Sequence, residues 1–234
     1  MQAIILAGGK GTRLRPYTIT IPKPLVPVND TPILEIVIKQ LCTNGFKEII
    51  LAVGHQAELI QAYFKNGEKY GVSIEYSYED SPLGTAGPLK KIKKLDDNFL
   101  VLNSDDLTDL SYKLFFETHI NNGNLLTIAS YTRNVQIDMG VIEEKNSRLT
   151  KYIEKPTYNY KVSTGIYAFD RKAINYIPDN EYYDFPTLVH TLIDENEGVG
   201  VYQHEGYWLD IGRPEDYELA NNDHEKLSTL LQDI

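Results

Sequence analysis

Several features that define common protein classes are missing from this 234-residue chain. It has one cysteine, so no internal disulfide can form, and this fits a reducing cytoplasm. No apolar run approaches the roughly 18 residues that a membrane span needs, so we expect no membrane partner. The five histidines lack metal-ligand spacing, and HExxH, CxxC and GxSxG motifs are absent. Zinc chemistry and serine or cysteine nucleophilic catalysis are therefore poor candidates.

Acidic residues are also missing from the first 29 positions, although the whole chain has a formal net charge of −10. That segment carries Lys10, Arg13, Arg15 and Lys23, which gives it +4 and leaves −14 for the other 205 residues. The acidic total argues against a nucleic-acid partner, because nucleic-acid binders present a basic face. The basic start instead suits a small anionic ligand.

Apolar runs alternate with helical patterns through the first 110 residues. The patterns predict strands at 3–6, 49–53, 72–78 and 99–102, and helices at 33–41, 57–65 and 85–95. Strands and helices that alternate in this way indicate βαβ units. We therefore expect an α/β fold: a Rossmann-like mixed, mainly parallel sheet flanked by helices.

Shorter strands follow residue 110 and predict a β-rich second half. They are expected at 125–131, 140–144, 149–154, 165–169, 199–202 and 207–211, with helices at 111–121, 184–196 and 214–231. No linker or repeat divides the chain. We expect one domain over 1–234, with a first half at 1–110 and a β-rich second half at 111–234.

A glycine-rich loop directly follows the first predicted strand. Gly8, Gly9 and Gly11 let the backbone approach a ligand, and successive N–H groups can form an anion cradle. The Walker pattern fails on glycine spacing. The GxGxxG fingerprint fails because Leu14 replaces its third glycine, and because three prolines within 22–27 prevent the helix that it requires.

Seven short motifs follow one another along the chain. They are GGKGTRLRPYT at 8–18, PKPLVPV at 22–28, PLGTAGP at 82–88, LNSD at 102–105, EKP at 154–156, TGIY at 164–167 and WLDIG at 208–212. In this order they resemble the sugar-1-phosphate nucleotidylyltransferase family over essentially the whole chain. The residues within these motifs are most similar to those of mannose-1-phosphate guanylyltransferase-like enzymes.

The resemblance implies the nucleotide-diphospho-sugar transferase fold and a reaction of nucleotide-sugar biosynthesis. It also implies that the single domain is catalytic, with a nucleotide-binding half at 1–110 and a sugar-phosphate-binding half at 111–234. A nucleoside triphosphate and a sugar-1-phosphate would give a nucleoside-diphosphate sugar and pyrophosphate, for a cell-surface polysaccharide or modified-sugar pathway. A phosphomonoester carries about −1.5 to −2 at pH 7, so this nucleophile needs no general base. The resemblance is compatible with a homodimer or larger homo-oligomer.

The resemblance also assigns roles to particular residues. Arg13 and Lys23 would be catalytic, and Asp105 and Asp210 would bind Mg²⁺, which prefers hard oxygen ligands. Asp106 follows Asp105, and one of the two could cap the next turn; the resemblance favours Asp105 as the ligand. The nucleotide would contact Leu6, Ala7, Gly8, Gly9, Gly11, Thr12, Glu79, Pro82, Gly84, Thr85 and Asp105. The sugar phosphate would contact Gly140, Glu154, Lys155, Thr164 and Gly165.

Glu79 bears on the choice of nucleotide. It stands about where uridylyl- and thymidylyl-transferring relatives use glutamine to bind the base. A carboxylate only accepts hydrogen bonds, and guanine presents two adjacent donors, so GTP is favoured. Transferases that use UTP, dTTP or CTP remain an alternative, and a non-catalytic nucleotide-sugar sensor is a second one. The sugar is left open.

Overall fold

Thirteen strands and five α-helices lie in residues 1–79, 81–223 and 230, which this computed structural model describes. The strands are β1 (Gln2–Ala7), β2 (Pro27–Val28), β3 (Thr31–Pro32), β4 (Glu48–Val53), β5 (Ser73–Tyr78), β6 (Asn98–Asn103), β7 (Asp106–Thr108), β8 (Leu126–Gln136), β9 (Val141–Lys145), β10 (Arg148–Ile153), β11 (Thr157–Asp170), β12 (Val199–His204) and β13 (Trp208–Asp210). The helices are α1 (Ile33–Thr43), α2 (Ala57–Phe64), α3 (Tyr112–Asn122), α4 (Phe185–Asp194) and α5 (Pro214–Asn222).

Seven strands form the central sheet in the order β12–β8–β11–β6–β1–β4–β5. The pairs that join β6, β1, β4 and β5 are parallel. β11 runs antiparallel to both β6 and β8, while β12 is parallel to β8. The expected α/β fold with a Rossmann-like mixed, mainly parallel sheet is therefore confirmed.

Both faces of the sheet are covered, which explains why its central strands β1, β4 and β6 are apolar over most of their length. Ala3 and Ile5 of β1 pack on one face against α1, α2 and α3. Ile4, between them, packs on the other face against α4 and Leu89. The sheet thus holds the carboxyl ends of β1 and β6 side by side, where the loops that follow them can meet.

The helix predicted at 85–95 is wrong. The structure has only a short 3₁₀ helix at Gly87–Lys91, followed by extended chain. The reason is a tertiary contact: the backbone N–H groups of Ala86 and Gly87 both donate to the carbonyl of Tyr183, at 3.0 and 2.9 Å. These bonds hold the segment against the chain that precedes α4.

Two strands are much longer than predicted. The outer parts of β8 and β11 leave the sheet together and pair with each other as far as Gln136 and Thr157. The β9–β10 hairpin lies between these two residues in the chain. We call residues 132–163 the arm. The outer parts of β8 and β11 are mostly exposed, so no alternation of apolar and polar residues marks them in the sequence. The strands predicted at 140–144 and 149–154 correspond to β9 and β10.

The last predicted helix, 214–231, is present as α5 over Pro214–Asn222. Residues 224–229 and 231 of that prediction lie outside the described residues. No helix in the described part of the chain is both long and apolar enough to cross a bilayer.

A stack of phenylalanines joins the two halves, and it yields a test of the fold. Phe99 of β6 and Phe169 of β11 are register partners with ring centroids 5.5 Å apart, and both are fully buried. Phe169→Ala should lower the free energy of unfolding by about 3–5 kcal/mol, because it removes a large side chain from a closed core. Urea unfolding measures this loss, with the same m value (the dependence of the unfolding free energy on urea concentration) expected for both proteins.

The matched control is Leu149→Ala on the arm, where the side chain is 62% exposed. It should change stability by less than about 0.5 kcal/mol. A Phe169→Ala loss as small as the control's would contradict the packing described here.

Candidate active site

The glycine loop after β1 folds back on the segment that follows it. Gly11 has a φ of +59°, and a Cβ there would lie 3.0 Å from Cβ of Lys23 and 3.1 Å from Cγ2 of Thr18. The Thr18 hydroxyl donates to the carbonyl of Gly11 at 2.8 Å. The loop can close this tightly only with glycine at that position, and the closure brings Lys23 to the end of β1.

A cavity of about 350 Å³ opens over this loop. Its walls come from the ends of β1 and β6, from the glycine loop and from the chain around residue 84. The lining residues are Leu6, Ala7, Gly8, Gly9, Gly11, Thr12, Arg13, Lys23, Pro24, Glu79, Gly84, Thr85, Asn103, Ser104, Asp105 and Gly212. Nearly all of the residues expected to contact the nucleotide therefore lie around one cavity. Pro82 is exposed and is not among them.

Glu79 lies opposite the glycine loop. A Cβ on Gly8 would come within 2.6 Å of its Oε1, so the Glu79 side chain reaches the backbone of the glycine loop. The backbone N–H of Leu83 donates to Oε2 of Glu79 at 3.2 Å. Burial raises the pKa of the Glu79 carboxyl, while the Leu83 N–H and the charge of Lys91 act in the opposite direction.

Three carboxylates meet at the end of β6, and we call them the acidic group: Asp105, Asp106 and Asp210. One oxygen from each lies within 4.8 Å of the others. The antiparallel pairing of β7 with β13 places Asp106 directly opposite Asp210 and so closes a separation of 104 residues along the chain. The ammonium group of Lys23 forms an ion pair with Oδ2 of Asp105.

Asp106 is the residue of this group that sequence reasoning missed. Its side chain is 1% exposed, and neither carboxylate oxygen accepts a hydrogen bond of regular geometry from the described residues. It does not cap a turn but lies in β7. The repeated acid after a buried strand was the available signal, but the burial depends on the β7–β13 pairing, which the local sequence does not reveal.

The electrostatics of the acidic group favour a cation. Burial raises the pKa of Asp106 well above its usual range, and Asp105 and Asp210 add to the shift. Burial and the charge of Asp105 also raise the pKa of Asp210, while Lys23 and Arg13 oppose that shift. Carboxylate oxygens this close together, with those of Asp106 buried and without a hydrogen bond of regular geometry, fit a divalent cation with oxygen ligands. The residues present therefore fit the predicted metal role of Asp105 and Asp210 and add Asp106 to it.

The expected sugar-phosphate residues divide between the acidic group and the arm. Gly165 has a φ of +80°, and a Cβ there would lie 2.9 Å from Oδ2 of Asp106. Thr164 is buried beside it, and its carbonyl accepts from the Trp208 indole at 3.1 Å. Gly140, Glu154 and Lys155 lie on the arm, where Tyr152 donates to Glu154 at 3.0 Å. None of the five lines the cavity over the glycine loop.

The fold and this convergence of a glycine loop, cations and carboxylates define a class of nucleotide-handling proteins. The sequence model of the nucleotidyl transferase family matches residues 2–226, and the chain belongs to that family.

Two relatives of this chain are named for the transfer of different nucleotides. The UTP–glucose-1-phosphate uridylyltransferase of Synechocystis sp. is 36% identical over an alignment of 238 positions, which covers 93% of this chain and 61% of that protein. A mannose-1-phosphate guanyltransferase of Yarrowia lipolytica is 37% identical over 230 residues, which cover 93% of this chain and 62% of that protein. The chain thus spans about three fifths of the length of these relatives.

Solved structures share the fold. HddC from Yersinia pseudotuberculosis aligns with a TM-score of 0.75 and 26% identity, over 94% of this chain and 98% of that one. HddC has also been solved as a complex with GMP-PN. A putative glucose-1-phosphate thymidylyltransferase from Bacillus anthracis aligns with a TM-score of 0.76 and 23% identity, over 95% and 94% of the two chains.

The raised pKa of Asp106 predicts how a substitution there changes stability. Asp106 holds its proton in the folded state to a higher pH than in the unfolded state, where its pKa is about 3.9. The contribution of Asp106 to stability therefore falls as the pH rises above about 4. In chelator at pH 7, Asp106→Asn should raise Tm, because the neutral amide removes a buried charge.

Thermal unfolding between pH 4 and 8 measures the effect, and the gain should vanish at the acidic end. The exposed Asp138→Asn is the control and should show no such trend. If Asp106→Asn were less stable than the wild type at pH 7, the carboxylate would not be the unfavourable charge described here.

Proposed function

We propose that the protein is a sugar-1-phosphate nucleotidylyltransferase that uses GTP. The observation that carries this proposal is the convergence of the glycine loop, Arg13, Lys23 and Asp105 around one cavity, with the rest of the acidic group next to Asp105. Such a site can hold a polyphosphate and neutralise charge at a transferring phosphoryl group, which is the main demand of this chemistry.

The reaction is a single displacement at the α-phosphorus. An oxygen of the sugar-1-phosphate forms a bond to that phosphorus, and the bond from it to the α,β-bridging oxygen breaks. Pyrophosphate leaves with the bond's electron pair. Since the attacking phosphate is already anionic, no side chain needs to remove a proton.

Each of these residues has a role in the proposed reaction. Arg13 and Lys23 bind the triphosphate and stabilise the charge that develops on the α-phosphate and the leaving group. A divalent cation, Mg²⁺ in this proposal, would be held by Asp105 and Asp210 and would neutralise charge on the phosphates that it contacts. Lys155 binds the phosphate of the acceptor, and Glu154, Gly140, Thr164 and Gly165 contact its sugar.

GTP is proposed from the chemistry of Glu79. Its carboxylate faces the cavity and offers only acceptors, which match the N1–H and N2–H₂ donors of guanine. The GMP-PN complex of HddC and the guanyltransferase relative support this choice. The uridylyltransferase relative supports the rival view that UTP is the substrate.

The decisive experiment is a substrate matrix. Purified protein would be incubated with each nucleoside triphosphate and a panel of sugar-1-phosphates, with Mg²⁺ or with chelator, and pyrophosphate release would be followed. We expect release with GTP, dependent on the metal. Release with UTP, dTTP or CTP alone would identify that nucleotide, instead of GTP, as the substrate. No release in any combination would favour a non-catalytic sensor of nucleotide sugars.

Arg13 gives the first mutational test of this function. Arg13→Ala should lower kcat by about 10²–10³, the scale for losing one contact to transition-state charge. Steady-state pyrophosphate release measures it. Lys10→Ala is the matched control, because Lys10 lies in the same loop but does not line the cavity. If both variants kept activity within threefold of the wild type, Arg13 would have no part in the reaction.

Glu79 gives a test of nucleotide choice. Glu79→Gln keeps an acceptor for Leu83 but replaces a charged acceptor by an amide, so the ratio of kcat/KM for GTP to that for UTP should fall about tenfold or more. Glu75→Gln, on the exposed face of β5, should leave the ratio unchanged. An unchanged ratio in Glu79→Gln would remove Glu79 from base recognition.

A further inference from the structure

A second cavity of about 360 Å³ adjoins the first. The two share Arg13 and Gly212 on their walls. Asp210 of the acidic group also lines the second cavity, so a ligand bound there would lie next to the acidic group. Its other walls come from the start of the arm and from the chain that enters α5.

Three guanidinium groups line this second cavity: Arg13, Arg133 and Arg213. None of them forms an ion pair within 4 Å with any residue in the described part of the chain. The cavity has two carboxylates, Asp210 and Asp216. An oxygen of Asp216 already accepts from the backbone N–H of Arg213 at 3.0 Å, where it caps α5.

Three arginines exceed what a single phosphate needs. Guanidinium groups pair with phosphate oxygens in a bidentate manner, so this set matches a ligand with two linked phosphates. The N-terminus of α5 also lies at this wall and favours an anion. A sugar-1-phosphate carries a single phosphate, so it would pair with fewer of these charges than a diphosphate would.

We propose that the second cavity binds the β- and γ-phosphates of the nucleotide and then the pyrophosphate that leaves, with Arg133 and Arg213 as binding residues beyond Arg13. This inference rests on the proposed function. The reaction supplies the ligand itself: pyrophosphate carries away the electron pair of the broken bond, and the arginines compensate its charge.

The acceptor sugar is the competing occupant. Tyr131 and Trp208 line the same cavity with ring centroids 5.6 Å apart, and a sugar could pack on such a wall. However, none of the residues proposed to contact the sugar, Gly140, Glu154, Lys155, Thr164 and Gly165, lines this cavity. The acceptor is therefore assigned to the side of the acidic group that faces Gly165.

The test measures each substrate separately in both directions of the reaction. Arg133→Gln and Arg213→Gln should each raise KM for pyrophosphate in the reverse reaction about tenfold or more. KM for the nucleotide sugar and for the sugar-1-phosphate should change less than twofold. Arg213→Gln keeps the backbone N–H that caps α5, and Arg133→Lys and Arg213→Lys should recover part of the loss.

Direct binding of inorganic pyrophosphate with Mg²⁺, measured by calorimetry, should weaken in the same variants by a similar factor. Arg148→Gln, on the exposed strand β10, is the control and should match the wild type in every measurement. Thermal unfolding checks that each variant folds.

Two results would overturn the inference. A rise in KM for the sugar-1-phosphate with unchanged KM for pyrophosphate would assign the cavity to the acceptor. Unchanged constants for all substrates in an active enzyme would leave Arg133 and Arg213 without a role in binding. Failure of the proposed function is distinguishable, because the wild type would then release no pyrophosphate from any substrate pair.

Discussion

The burial of like charges at the end of β6 is the constraint on which the site depends. Asp105, Asp106 and Asp210 crowd together, and the ammonium group of Lys23 is the cation that contacts them directly. Removing charged groups from water is costly unless opposite charge lies close by. The glycine loop packs against Lys23 at Gly11, and the remaining carboxylates favour a further cation at this point.

The sheet supplies the rigidity that such crowding needs. β1 and β6 are adjacent and parallel, so the glycine loop and the first aspartates leave the same edge. The short pairing of β7 with β13 then brings Asp210 in from the far end of the chain. Carboxyl ends of parallel strands are a recurring location for ligands because the loops there converge. Here the same edge carries the side chains of Arg13 and Lys23 together with the acidic group.

Local patterns predicted the parts of the fold that are buried on both faces. β1, β4 and β6 are continuous apolar runs, and the motif from Gly8 to Thr18 was sufficient to locate the loop. The β9–β10 hairpin was predicted, but the outer parts of β8 and β11 could not be, because strands exposed on both sides carry no periodic signal. The burial of Asp106 and the approach of Arg133 to Arg213 depend on contacts between distant segments. Their residue types were visible in the sequence, but their neighbours were not.

The antiparallel strand β11 has a consequence for the integrity of the chain. It bonds β6 on one side and β8 on the other, so a single hydrogen-bonded ladder crosses from the first half to the second. Severing the polypeptide near residue 110 would expose one flank of β6 and one flank of β11. Unpaired flanks of this kind recruit other strands, so separately expressed fragments would either reassemble with each other or aggregate.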